Sequence, residues 1–515
     1  MPSPRDHTRL ADLSHVDAHW CRDYSGRKMG NRPTHRDAPI DSRLLRDLRK
    51  LLGPRGLLHE PEDLLLYEYD GSVEIARPDC VVFPRTTADV VEIVRLANRH
   101  QTPLVGRGAG TGLSGGAIAR HGGIVTSFAR MNRIVAIDSE NQRATVQPGV
   151  VNSDLTAAVE NLGLHFAPDP SSQKACTIGG NVSENSGGPH TLAYGVTTNH
   201  VLALEIVLPS GELLRLGSPT LDPPGYDLTG LFVGSEGTFG LVTEVTVRLT
   251  RLPEKIKTLL AVFDSVDGAT ETVADITARG ITPAACEMLD GWTIRAVEEY
   301  VHAGFPLDCA AILLIEVDGL REATEAEAAE VADVCRLHHA RDVRVARDAR
   351  ERDLLWKGRK NAFGAAGRLS PSYYTQDGVI PRTKLPATLR RIGEIGKKYG
   401  LQIGNVFHAG DGNLHPIILF DERNEQQFRD TVRAGDEILE FCIQAGGSIT
   451  GEHGVGMEKD RLMPLLFSDA DLSLMKRVRD VFNPGGLLNP GKIFPNSKGC
   501  GEIYVRPRPP VAPPA

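Results

Sequence analysis

Residues 103–117 read Pro103-Leu-Val-Gly-Arg-Gly-Ala-Gly-Thr-Gly-Leu-Ser-Gly-Gly-Ala117, with glycines at 106, 108, 110, 112, 115 and 116. Within it, Gly110-Thr-Gly-Leu-Ser-Gly115 matches the dinucleotide fingerprint of doubly wound folds, but that motif must open a long helix. Here His121-Gly-Gly123 marks another turn only a few residues on, and Ile124–Ser127 reads as the next strand. Near-consecutive glycines that enter no helix predict a nest of backbone N–H groups, which receives a pyrophosphate without a helix dipole. Glycine suits such a nest because the backbone must approach phosphate closely, often at positive φ. The competing reading is a structural glycine-rich turn.

Outward from this loop, residues 75–250 alternate short apolar strands with glycine-rich turns. Strands are expected at Cys80–Pro84, Pro103–Val105, Ile124–Ser127, Ala144–Gln147, Leu202–Leu208 and Leu241–Leu249. Thr86 and Asp89 open an amphipathic helix with Val90, Val94 and Ala97 on one face. In the last strand Val245, Val247 and Leu249 alternate with Thr246 and Arg248, as a half-buried strand requires. Residues 251–480 have a different texture, with helices expected at Glu322–His338 and Gln426–Ala445 and a strand at Ala311–Val317. The boundary is placed near residues 250–255. The domains are then 41–253 and 254–495, between an unstructured N-terminal extension (1–40) and a proline-rich unstructured tail (496–515). Asp6, Asp12, Asp17, Asp23 and Asp37 speak against a mitochondrial transit peptide, and a start at Met29 is an alternative.

A second cluster carries the chemistry. Residues 405–415 read Asn-Val-Phe-His-Ala-Gly-Asp-Gly-Asn-Leu-His, and residues 451–456 read Gly-Glu-His-Gly-Val-Gly. His408, His415 and Glu452 form a mixed N/O set suited to a divalent transition metal with open positions, Zn or Mn/Fe. His453, next to Glu452, is the natural general base. Asp411 and Asn413 are expected to shape their loop through local side-chain to backbone bonds. The alternative is that these are separate core or surface residues.

Composition narrows the function classes. The 515 residues suffice for two or three domains, and a net charge of −8 without a basic stripe argues against nucleic acid as a partner. Eight scattered cysteines (Cys21, Cys80, Cys176, Cys286, Cys309, Cys335, Cys442, Cys500) include no Cys-x-x-Cys, which speaks against an iron–sulfur cluster of the usual spacing and for a reducing compartment. No apolar run approaches the ~20 residues of a bilayer span, and Ala310–Ile315 stops at Glu316. A soluble protein is expected.

The glycine loop resembles the pyrophosphate loop of FAD-linked oxidases of the vanillyl-alcohol oxidase (PCMH-type) superfamily. So do Pro168-Asp-Pro-Ser-Ser172, Thr177-Ile-Gly-Gly-Asn-Val-Ser183, Gly187-Gly-Pro-His190 and Gly234-Ser-Glu-Gly-Thr-Phe-Gly240. The second half is similar to the catalytic subunit of glycolate oxidase and to D-lactate and D-2-hydroxyglutarate dehydrogenases. Its motifs are Trp356-Lys-Gly-Arg-Lys360, Tyr374-Thr-Gln-Asp377, the His408 and Glu452 segments, and Leu488-Asn-Pro-Gly-Lys492. The resemblance runs from about residue 75 to 494. It implies an α+β protein: a PCMH-type FAD-binding domain followed by an α+β substrate (cap) domain whose C-terminal end returns to the flavin. FAD would be held at Arg107, Gly108, Gly110, Thr111, Gly112, Leu113, Ser114, Gly115, Ser172, Thr177, Gly180, Asn181 and Ser183. Glu236, Gly237 and Val242 would contact the adenine side, and Asn489 the isoalloxazine. The loop has no attachment histidine, so noncovalent FAD is expected, His121 being the nearest candidate. His190 is expected to be structural or flavin-orienting.

The implied reaction is FAD-dependent oxidation of a short 2-hydroxy acid, glycolate or D-lactate, to the 2-oxo acid. Arg359 falls on the family's arginine position, where its planar fork suits the substrate carboxylate. Relatives acting on the five-carbon diacid place a hydroxyl residue and a lysine where this chain has Phe363 and Thr375, so a second carboxylate has no evident receptor. The alternatives are a D-2-hydroxyglutarate dehydrogenase, an alkylglycerone-phosphate synthase, or a noncatalytic flavin electron-transfer subunit. That last class has no reason to keep His408, His415, Glu452, His453 and Arg359 together. The resemblance also implies an iron–sulfur partner subunit and a cytoplasmic protein with peripheral association at the inner face of the cell membrane.

Overall fold

Strand propensity and alternation in the first half produce two main sheets, beside the small pair Leu164–His165 and Thr250–Arg251. The computed structural model describes residues 40–220 and 224–495, so the N-terminal extension before residue 40 and the 496–515 tail lie outside it. The first sheet runs Leu57–Leu58, Cys80–Val82, Ile124–Ser127, Leu104–Arg107. Its last three strands are parallel, and the helix Thr87–Arg99 crosses between the outer two. Thr86 and Asp89 form the expected reciprocal capping box, and Val90, Val94 and Ala97 are buried. The second sheet is antiparallel, in the order Ile134–Asp138, Arg143–Val146, Leu241–Arg248, Val201–Val207, Leu213–Gly217. Val245, Val247 and Leu249 face its core, as their alternation predicts.

From Lys255 the chain enters a nine-stranded sheet in which every pairing is antiparallel. Its central strands, Lys255–Phe263, Ala311–Gly319 and Ala285–Asp290, are covered on both faces. Leu259, Ala261, Leu313 and Ile315 pack with the helices Val266–Ala278, Arg321–Leu337, Leu385–Tyr399 and Glu425–Gln444. Leu260, Val262, Ile312 and Leu314 pack with Gly291–Val301, Ala349–Lys360 and Ala362–Leu369. Burial on both sides explains the continuous apolar run at Ala311–Ile315. Among the described residues no helix is long and apolar enough to cross a membrane.

The C-terminal segment closes the architecture. Leu487 O accepts from Leu104 N at 2.8 Å and Asn489 N donates to Leu104 O at 2.7 Å, which adds residues 487–489 to the edge of the first sheet. The end of the α+β second half thus returns to the glycine loop.

Candidate active site

Residues 108–120 form turns and no helix, so the glycine loop keeps its amides free, as expected of a nest. Beside it, the short helix Ile178–Glu184 starts with Thr177 Oγ1 accepting from Gly180 N at 3.3 Å. Loop and helix flank a cavity of about 360 Å³ that reaches into the second half. Its wall contains Arg107, Gly108, Gly110, Thr111, Gly112, Leu113, Ser172, Thr177, Gly180, Asn181, Ser183, Glu236, Gly237, Val242 and Asn489. Two loop residues assigned to the cofactor by resemblance, Ser114 and Gly115, do not line it. Ser114 O accepts from Met457 N, and Met457 packs where a side chain on Gly115 would stand. The positive φ of Gly115 (78°) turns this end of the loop towards the second half. His121 lies against Gly491 and is likewise absent from the cavity wall.

Arg107 Nη1, Asn181 Nδ2, Asn489 Oδ1 and Glu184 Oε2 are buried beside this cavity without a hydrogen-bond partner among the described residues. Orphaned donors and acceptors around an amide-lined hollow fit a polar, phosphate-bearing cofactor. Asn489 Nδ2 donates to Gly116 O and Glu236 O, at 2.9 and 2.6 Å. The Glu236 carboxylate in turn accepts from the amides of Val455 and Gly456. The segment around Asn489, the glycine loop and residues 455–456 are therefore tied together beside the cavity.

The same wall carries His415, Glu452 and His453, with Lys360, Phe363 and Tyr373. The strand Gln402–His408 delivers His408, and a turn held by Asp411 Oδ1 accepting from Asn413 N returns the chain to His415. The two imidazoles meet edge to face, 5.0 Å between centroids. Glu452 Oε1 is 3.3 Å from His408 Nε2 and 3.1 Å from His415 Nε2, and His415 Nε2 makes no hydrogen bond. One donor atom from each of His408, His415 and Glu452 lies within 4.8 Å of the other two. Ligands about 2.0–2.2 Å from a tetrahedral ion lie roughly 3.3–3.6 Å apart, close to the spacing of these donors, so the three fit a divalent metal. His415 Nδ1 lies 3.4 Å from Gln376 O and His408 Nδ1 2.7 Å from Glu287 Oε1, which leaves both Nε2 lone pairs for such an ion. Burial opposes ionisation of Glu452, but His408 and His415 beside it hold the carboxyl well below the usual range.

Asp377, His415 and His453 form a second triad of similar spacing. In it, Asp377 Oδ2 already accepts from Thr450 Oγ1 and from the amides of Gly451 and His453, with Lys459 Nζ at 3.3 Å. Asp377 thus shapes the loop that presents Glu452, and His408, His415 and Glu452 are the better metal seat. His453 stacks on His415 at 5.0 Å with its Nε2 3.7 Å from Glu452 Oε1. Burial pushes the His453 imidazole down to about 4, which keeps it neutral near pH 7.

Arg359 and His408 do not line the cavity but adjoin residues that do. Arg359, at the end of the helix Ala349–Lys360, is fully buried. Its Nε and Nη2 are 2.6 and 2.5 Å from Glu287 Oε2, and Nη1 has no partner among the described residues. The fork expected to be free for a bidentate clamp therefore has one uncommitted donor. Phe363 stands on the cavity wall with its ring 6.3 Å from that of Tyr373, whereas Thr375 is buried away from it. A lysine does reach the wall: Lys360 Nζ lies 3.2 Å from Asp169 Oδ2. His190 bridges the two halves, with Nδ1 2.9 Å from Asp169 and Nε2 3.2 Å from Glu316.

Sequence reasoning gave no role to Glu287, Asp377 or Lys360. The available signal for Glu287 was one acid inside the apolar strand Ala285-Cys-Glu-Met-Leu289. Lys360 and Asp377 lay in quoted motifs, but nothing local reveals their partners.

A nucleotide-binding half, an antiparallel cap sheet and a shared cavity define an FAD-dependent oxidoreductase of the p-cresol methylhydroxylase fold. The solved p-cresol methylhydroxylase superposes with a TM-score of 0.76 at 18% identity, covering 91% of this chain and 98% of that one. Residues 78–217 match the FAD binding domain and residues 252–493 match the family "FAD linked oxidases, C-terminal domain". The chain is 47% identical over 461 residues to the glycolate oxidase subunit GlcD of Escherichia coli (strain K12), covering 89% of this chain and 92% of GlcD. It is 42% identical over 449 residues to GlcD of Bacillus subtilis (strain 168), covering 87% and 96%. The chain belongs to this family of FAD-linked oxidases.

Proposed function

We propose that this enzyme oxidises a short 2-hydroxy acid, glycolate or D-lactate, to the 2-oxo acid, with noncovalent FAD held in domain 41–253 and a divalent metal in domain 254–495. The observation that carries the reading is a single cavity whose wall includes both the glycine loop and the His415–Glu452–His453 cluster. Bound FAD supplies the hydride acceptor, and a metal on His408, His415 and Glu452 supplies a Lewis acid for the substrate hydroxyl. Neutral His453 is suited to take the hydroxyl proton at Nε2, which faces Glu452. Arg359 Nη1 is the donor left for the substrate carboxylate. Phe363 and Tyr373 make this part of the cavity aromatic, and Lys360 is engaged by Asp169, so a second carboxylate would be costly to desolvate there. Arg107, Thr177, Asn181 and Asn489 supply polar contacts for the cofactor, and the absence of histidine from the loop sequence 103–117 supports noncovalent binding.

Electrons must then leave the reduced flavin. Neither cluster of metal-ligand spacing among the described residues contains cysteine, and the described cysteines are buried. Relatives named as oxidase subunits support an external acceptor. We assign this role to an iron–sulfur partner subunit, with peripheral association at the inner face of the cell membrane. Steady-state assays with an artificial acceptor against glycolate, D-lactate, L-lactate and D-2-hydroxyglutarate test the substrate reading. Glycolate or D-lactate should have the highest kcat/KM, and a higher value for D-2-hydroxyglutarate would refute it.

A further inference from the structure

Glu287 sits at the centre of the nine-stranded sheet, fully buried, with Cys286, Met288 and Leu289 as its strand neighbours. It is opposite His408 in the sheet register. Its two oxygens are divided between two partners. Oε1 is 2.7 Å from His408 Nδ1, and Oε2 is 2.6 and 2.5 Å from Arg359 Nε and Nη2. A buried carboxylate is costly, and a buried ion pair in an apolar sheet is often no more stable than well-packed hydrophobic residues. Stability alone therefore gives weak reason for this acid.

We infer that Glu287 is a positioning residue that couples the metal ligand His408 to the carboxylate anchor Arg359. The inference rests on the metal and substrate reading given above. By accepting from His408 Nδ1–H it fixes the tautomer whose lone pair is on Nε2, the nitrogen 3.3 Å from Glu452. By holding Nε and Nη2 of Arg359 it fixes the guanidinium plane, and with it the direction of the free Nη1. A substrate gripped by hydroxyl and carboxylate then meets two groups whose separation is set by one side chain. A two-carbon 2-hydroxy acid, with these groups on adjacent carbons, requires such a fixed separation.

The test is Glu287→Gln, which keeps the shape but offers one acceptor oxygen instead of two. Zinc affinity of the metal-stripped, FAD-loaded protein, measured by competition with a chromophoric chelator, should fall about 10–100-fold. KM for glycolate should rise while the flavin spectrum and FAD content stay unchanged. Glu287→Asp, which keeps the charge, should recover part of both. Because Arg359 left unpaired in the core would destabilise the fold, the charge-neutral pair Glu287→Gln with Arg359→Met is made alongside. It should fold and still bind zinc more weakly than wild type, since His408 then donates to a neutral amide oxygen instead of a carboxylate. A lowered Tm with unchanged zinc affinity in both folded variants would overturn the inference and leave Glu287 a structural ion pair. Glu452→Gln is the control: equal zinc binding by it and wild type would overturn the metal reading itself, and the inference with it.

Discussion

The side chains of the donor cluster are ordinary; their protonation states are set by their neighbours. Glu452 is held ionised against burial by two imidazoles, while His453, one residue on, is kept neutral by the same burial. Adjacent residues thus present an ionised carboxylate and a neutral imidazole. Glu452→Gln should abolish turnover, since the Lewis acid is worth several kcal/mol of transition-state stabilisation, and should leave the flavin absorbance intact. Chelation should do the same to the wild type and be reversed by adding back metal. An active Glu452→Gln enzyme free of metal, checked by elemental analysis, would contradict this.

Two contacts between elements position the cavity. The glycine loop presses on the helix Ile178–Glu184 so closely that a Cβ on Gly108 would stand 2.4 Å from Thr177 Oγ1 and 3.7 Å from Gly180 Cα. Gly108→Ala should push loop and helix apart and weaken FAD binding about tenfold, a loss near 1.4 kcal/mol, read by fluorescence titration of the apoprotein. The second contact is His190, clamped between Asp169 of the first half and Glu316 of the second, with Trp356 Nε1 donating to Glu316 at 2.7 Å. Burial opposes its charge, but Asp169 and Glu316 prevail and raise the imidazole from 6.5 to about 10. A raised histidine contributes stability that is complete below pH 6.5 and declines as pH rises to about 10. The wild-type Tm should therefore fall over that interval, and His190→Gln should show a flatter profile. Parallel profiles would mean that this clamp does not hold the halves.

For the whole molecule, the decisive feature is that the C-terminal segment crosses back to the first sheet. Asn489 reaches Gly116 and Glu236, so this part of the cavity wall is completed only when residues 487–489 have docked. His121, the histidine nearest the glycine loop in sequence, lies against Gly491. Acid precipitation of the purified protein should accordingly release free FAD into the supernatant. Yellow colour remaining in the pellet would reveal a covalent bond.

Much of this was legible in the sequence where the signal is local. The capping box at Thr86 and Asp89, the alternation at Val245–Leu249 and the glycine spacing of 106–116 each depend on neighbours within a few residues, so period and turn chemistry reveal them. The grouping of His408, His415 and Glu452 had a local signal too, since two histidines seven apart in a glycine-rich turn and a Glu-His pair concentrate donor side chains in short segments. What the tertiary structure alone decided are the long-range pairings. Ser114 and Gly115 belong by sequence to the phosphate loop, yet they turn to Met457 because packing against the second half determines the far end of that loop. Arg359 reads as a free fork, but 72 residues earlier a strand supplies Glu287, which occupies two of its donors. Local sequence specifies which groups are present and which elements carry them. Which buried charge meets which depends on sheet register and chain return, and these follow from burying both faces of the sheet rather than from any one segment.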